Sequence, residues 1–115
     1  MRARKLAMSL LAVTALFVSA PTAAHALYSY NGADYSYDFN NRNDIETCDK
    51  ESDSTGVKAV YEYGSNNDTD SVKDGDGNND HCAREGAPGT NKINGHKTCE
   101  TPNFWPDSCG NWQRY

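Results

Sequence analysis

Four cysteines, Cys48, Cys82, Cys99 and Cys109, stand in a segment with little else to hold a fold together. Their spacings of 34, 17 and 10 residues lack the close pairs of a zinc site. An even count in a short exported chain reads as a disulfide framework. From Leu27 onward the large aliphatic residues and Phe number eight: Leu27, Phe39, Ile45, Val57, Val60, Val72, Ile93 and Phe104. Eight in 89 residues is about 9%, below the roughly 20% under which a charged chain commonly stays disordered. Burying one such side chain yields roughly 1.5–3 kcal/mol, and ordering one residue costs roughly 1–2 kcal/mol. Crosslinks contributing about 2–4 kcal/mol each therefore carry a share of the stability. Three pairings are open. Cys48 (Thr-Cys-Asp) and Cys99 (Thr-Cys-Glu) end strand-like runs, whereas Cys82 and Cys109 lie in Gly/Asp/Ser/Asn-rich loops. The matched settings favour Cys48–Cys99 and Cys82–Cys109.

The 89-residue figure follows from the first 26 positions. Met1–Lys5 is basic, Leu6–Ala20 is apolar, Pro21 breaks the run, and Ala24-His25-Ala26 offers small residues at the −3 and −1 positions of a cut. A 15-residue run falls short of the roughly 20 apolar residues that span a bilayer. Residues 1–26 thus read as a signal peptide for export to an oxidising, extracellular space, with no membrane association after cleavage. Losing Arg2, Arg4 and Lys5 leaves eight basic residues against sixteen acidic ones, a net charge of −8. That balance argues against a nucleic-acid binder held by phosphate contacts.

Residues 27–43 form a Tyr/Asn-rich arm in which Tyr28 and Tyr30, then Tyr35, Tyr37 and Phe39, alternate around Asn31-Gly32. The arm is either flexible or a hairpin. Residues 44–115 read as one disulfide-stapled β domain. Asp44–Asp49 is a short strand, and Val57–Tyr63 is the best strand in the chain. Its alternation puts Val57, Ala59, Tyr61 and Tyr63 on one face and Lys58, Val60 and Glu62 on the other. Weaker strands are expected at Ser71–Lys73, Ile93–Glu100 and Asn111–Tyr115. Pro102 and Pro106 rule out a continuous helix or central strand between Thr101 and Gly110. No segment after Ala26 has sustained helical periodicity. The expected fold is all-β, a small antiparallel sheet or sandwich of about four to six short strands.

Cys48-Asp49-Lys50-Glu51, then Gly56-Val57, Ala59 and Tyr61, resembles a group of small exported, disulfide-bonded actinobacterial proteins. Asp74-Gly75 with Gly77, Cys82, Cys99-Glu100, and Cys109 followed by Trp112 extend the resemblance from Asp44 to Tyr115. It implies a small disulfide-bonded β domain and brings no activity with it.

Three features could carry chemistry. Counting a helix-loop-helix calcium loop from Asp74 places Asp76, Asn78, Asp80 and Glu85 at ligand positions 3, 5, 7 and 12. Asn79 stands where Gly is usual, and Cys82 falls inside the loop. Asp, Asn and Gly are also what solvated turns use. For acid–base work the candidates are Glu62, His81, Arg84 and His96, each equally at home as an exposed polar residue. No triad motif, zinc motif or phosphate loop is present. Phe104-Trp105, set between two prolines, is the expected contact point for a partner, and Trp112 and Tyr61 read as core.

These readings favour a secreted, non-enzymatic interaction module: an inhibitor, a surface-binding protein or an envelope component. Its partner would be an extracellular protein or a cell-surface polymer, and its acidic surface would favour a basic one. No cofactor is required unless calcium binds. The alternatives are a small secreted hydrolase such as a ribonuclease, and a calcium-dependent adhesion domain.

Overall fold

A computed structural model of the chain describes residues 26–53, 55–75 and 81–115. The signal-peptide reading falls outside these residues except at Ala26. The described residues hold nine strands and no helix. In chain order they are β1 (Tyr28–Asn31), β2 (Asp34–Phe39), β3 (Asp44–Cys48), β4 (Gly56–Tyr63), β5 (Asp68–Asp74), β6 (Ala83–Gly86), β7 (Ile93–Thr101), β8 (Ser108–Cys109) and β9 (Gln113–Arg114). They form two antiparallel sheets, one in the order β1-β2-β3-β6 and one in the order β5-β4-β7-β8, with β9 also on β7. The sheets pack face to face, mainly through β1 and β2 on β7 and β3 on β4 and β5. The all-β expectation holds. The strand count exceeds the expected four to six because the Tyr-rich segment forms a hairpin, β1 and β2, and Ala83–Gly86 and Ser108–Cys109 add β6 and β8, whereas β9 lies within the strand expected at Asn111–Tyr115.

The hairpin follows from its turn. Gly32-Ala33 is a two-residue loop between Asn31 and Asp34, with φ +61° at Gly32, as the twist of a tight hairpin demands. Gly110 has a different constraint: a methyl group there would run into the Tyr30 carbonyl oxygen, so only glycine lets the C-terminal segment pass beside β1.

The alternation of β4 is as expected, with Val57, Ala59 and Tyr61 buried and Lys58, Val60 and Glu62 half-buried on the other face. An apolar cluster of Ile45, Ala59, Tyr61, Ala87 and Ile93, flanked by Tyr63 and Val72, fills part of the interior. Under the hairpin the interior is polar. Ser29, Ser36, Thr47, His96 and Thr98 are all fully buried, and their hydroxyls and imidazole bond to one another.

The disulfides are Cys48–Cys82 and Cys99–Cys109, which corrects the expected Cys48–Cys99 and Cys82–Cys109 pairing. Register explains the difference. Cys99 lies directly opposite Cys109 across β7 and β8, and Cys48 and Cys82 flank the Thr47–Ala83 pair of β3 and β6. Cys48 shares a face with Tyr35 on the outside of the first sheet, and Cys99 shares one with Lys58 on the outside of the second. Their side chains point away from each other, so the similar sequence settings of Cys48 and Cys99 reflect equivalent strand ends in different sheets.

Candidate functional site

The outer face of the first sheet is aromatic. In register, Tyr30 faces Tyr35, Tyr28 faces Tyr37, and Phe39 continues the β2 row. Ring centroids lie 5.1 Å apart for Tyr28–Tyr37, 6.2 Å for Tyr30–Tyr35 and 5.8 Å for Tyr37–Phe39. Cross-strand aromatic pairs of this kind each add roughly 0.2–1 kcal/mol to the sheet. The inward positions of the same strands hold Ser29, Ser36 and Asp38. Tyr28 and Tyr30 remain 47% and 59% exposed, enough to meet a ligand. At the far end of the row the Arg84 guanidinium sits 5.2 Å over the Phe39 ring and donates to Glu46 at 2.9 Å. Phe39, Asp44, Arg84, Glu85 and Gly86 line an open cleft of about 300 Å³. The surface therefore combines a neutral tyrosine ladder with a cleft that has an apolar ring, a carboxylate and a guanidinium.

Sequence reasoning noted the alternation but did not place these rings on one open face. The signal was two alternating runs of aromatic and small polar residues about a glycine turn. It was ambiguous because either parity could face inward, and partners from β3 and β7 decide in favour of serine and aspartate.

The structure does not assemble the four acid–base candidates. Glu62 is on the outside of the second sheet, where Arg114 donates to both its oxygens at 3.2 Å. Arg84 is on the outside of the first sheet. His81 is exposed just before β6. His96 is fully buried between the sheets. Phe104 and Trp105 are 92% and 76% exposed in the loop after β7. Trp112 is half-buried, with Lys97 and Arg114 over its ring at 4.9 and 4.5 Å. Tyr61 is fully buried, and its hydroxyl donates to Glu85 at 2.9 Å. Burial and the neighbouring Glu85 and Asp70 hold that phenol well above its ordinary range.

His96 deserves comparison with a hydrolytic triad, since Ser29 Oγ lies 3.0 Å from its Nδ1 and Asp38 Oδ2 lies 3.8 Å from its Nε2. The geometry serves the fold instead. Nε2 lies 3.0 Å from the Leu27 carbonyl oxygen, which only accepts, so Nε2 carries the proton and Nδ1 accepts from Ser29. Ser29 and His96 are 0% exposed and Asp38 1%, out of reach of a substrate. Burial lowers the imidazole pKa, against the opposing effect of Asp38. Tyr115 donates to both Asp38 oxygens at 2.6 and 2.5 Å. Burial and that carboxylate push its phenol up to about 12.

Of the residues read as a calcium loop, Asp76, Asn78 and Asp80 lie outside the described residues. Asp74 is buried at the end of β5 and accepts from the Asp49 N–H at 3.1 Å. Glu85 is on β6, engaged by Tyr61. A different acidic group forms at the base of the hairpin. Carboxylate oxygens of Asp34, Glu51, Asp53 and Glu100 all lie within 4.8 Å of one another. Asp34 comes from the start of β2, Glu51 and Asp53 from the turn after β3, and Glu100 from β7. Burial raises the Asp34 and Glu100 pKa values, and the neighbouring carboxylates raise them further. Sequence reasoning missed this group because its members are spread over 67 positions, from 34 to 100.

Comparisons with protein-family models, with curated proteins and with solved structures find no match for this chain.

Proposed function

We propose that the protein is an exported, non-enzymatic binding module that holds a neutral polysaccharide chain on the tyrosine face of its first sheet. Export rests on the basic, apolar and small-residue pattern of residues 1–26. Two disulfides are consistent with an extracellular protein, and among the described residues no helix is long and apolar enough to cross a membrane. The observation that carries the binding reading is the outer-face ladder of Tyr28, Tyr30, Tyr35, Tyr37 and Phe39, exposed at Tyr28 and Tyr30 and half-buried at the other three.

Tyrosine suits sugars because its ring packs on their C–H faces while its hydroxyl exchanges hydrogen bonds with theirs. The ladder has no formal charge of its own, and Arg84, over its Phe39 end, is paired with Glu46. A chain with net charge −8 after signal removal would repel an anionic polymer. The cleft at Phe39 adds Asp44 and Arg84 as acceptor and donor for one sugar unit.

Retention of the oxidised protein on insoluble cellulose, chitin and cell-wall polymer tests this. The wild type should be retained on at least one. Tyr28→Ala/Tyr30→Ala should weaken retention at least tenfold, as two stacking contacts of roughly 1 kcal/mol each require. A wild type that passes through all three, or a double variant that binds equally well, would end the reading.

A further inference from the structure

The geometry points to a calcium site at the base of the tyrosine hairpin, built from Asp34, Glu51, Asp53 and Glu100. Two ligand atoms on one ion can be no further apart than twice the metal–oxygen bond. For calcium, at 2.3–2.6 Å, the limit is roughly 4.6–5.2 Å. The four carboxylates meet that limit, each offering an oxygen within 4.8 Å of the others. An all-oxygen set is hard, which selects against zinc and copper.

The second observation is Asp34 itself. It is 0% exposed, its Oδ1 accepts from the Lys50 N–H at 2.7 Å, and its Oδ2 has no hydrogen-bond partner. A buried carboxylate oxygen left unpaired is costly, and this one belongs to a carboxylate facing three others. Among the described residues none of the four pairs with Lys or Arg. Asp49, also buried, has a second unpartnered Oδ2. A divalent cation supplies the missing positive charge and ties β2, the 49–53 segment and β7 together. Affinity in the range of extracellular calcium modules, 10⁻⁴–10⁻³ M on order of magnitude, suits an exported protein. This site is independent of the polysaccharide reading.

Thermal melting of the oxidised protein in 10 mM calcium chloride and in EGTA, with calcium titrated by calorimetry, tests it. Calcium should raise the wild-type Tm by about 5 °C. Asp53→Asn and Glu100→Gln should melt no lower than wild type in EGTA, since each relieves repulsion, and should bind calcium at least tenfold more weakly. Asp80→Asn should keep the full response. No wild-type rise, a response that survives both variants, or one lost in Asp80→Asn would overturn the proposal. Asp53 is exposed, so its variant reports even where Glu100→Gln fails to fold.

Discussion

The backbone nitrogen of Leu27 lies 3.3 Å from Oδ1 of Asp38, a carboxylate that is 1% exposed. Tyr115 and the neutral His96 ring are its other partners, so among the described residues no full cation meets it. A signal-peptide cut after Ala26 would turn the Leu27 N–H into an ammonium group at that position. A hydrogen bond to a charged group is worth roughly 1.5–3 kcal/mol. Protein beginning at Leu27 should therefore melt higher than the same protein carrying an N-acetyl group. Asp38→Asn should erase the difference, as read by calorimetry at neutral pH.

His96 sets an acid limit. Its folded pKa lies below its unfolded value, so the unfolded chain takes up a proton first as the pH falls. Stability is complete above about pH 6.5 and declines below it, by at most about 1.4 kcal/mol per pH unit from this group. Denaturant melts from pH 7.5 to 5 should show this slope, and His96→Gln should flatten it while lowering the plateau.

The two disulfides should differ in worth. They close loops of 34 and 10 residues. Loop entropy gives about 4 kcal/mol for the first and about 3 kcal/mol for the second. Cys48→Ser/Cys82→Ser should destabilise more than Cys99→Ser/Cys109→Ser in urea denaturation.

Gly110→Ala should move the hairpin. The added methyl meets the Tyr30 carbonyl, so β1 or the C-terminal segment must shift. A cost of about 1–3 kcal/mol is expected, with a change in tyrosine fluorescence. Phe104→Ser/Trp105→Ser, by contrast, should change stability by about 0.5 kcal/mol or less, since both rings are exposed.

Much of the fold was legible where a local pattern had only one physical solution. The strand at Val57–Tyr63 and its buried face followed from β-branched alternation. The disulfide class followed from the scarcity of aliphatic residues. Pairing was not legible, because Cys48 and Cys99 look alike in sequence while facing opposite sides of the molecule. The hairpin's inner face was hidden for a similar reason. Ser29, Ser36 and Asp38 become interior residues only because Thr47, His96 and Thr98, up to 69 positions away, satisfy them. The acidic group around Asp34 has no sequence signature, since contact between distant carboxylates depends on register alone.

The hydroxyl-lined space beneath the hairpin also shapes how stability changes with temperature. Exposing apolar surface raises the heat capacity of unfolding, and exposing polar surface lowers it. An interior that holds Ser29, Ser36, Thr47, Thr98, Asp38 and His96 beside a small apolar cluster exposes an unusual share of polar surface when it opens. The heat-capacity change is correspondingly small and the stability curve shallow. Such a protein should lose little on cooling and weaken gradually on warming.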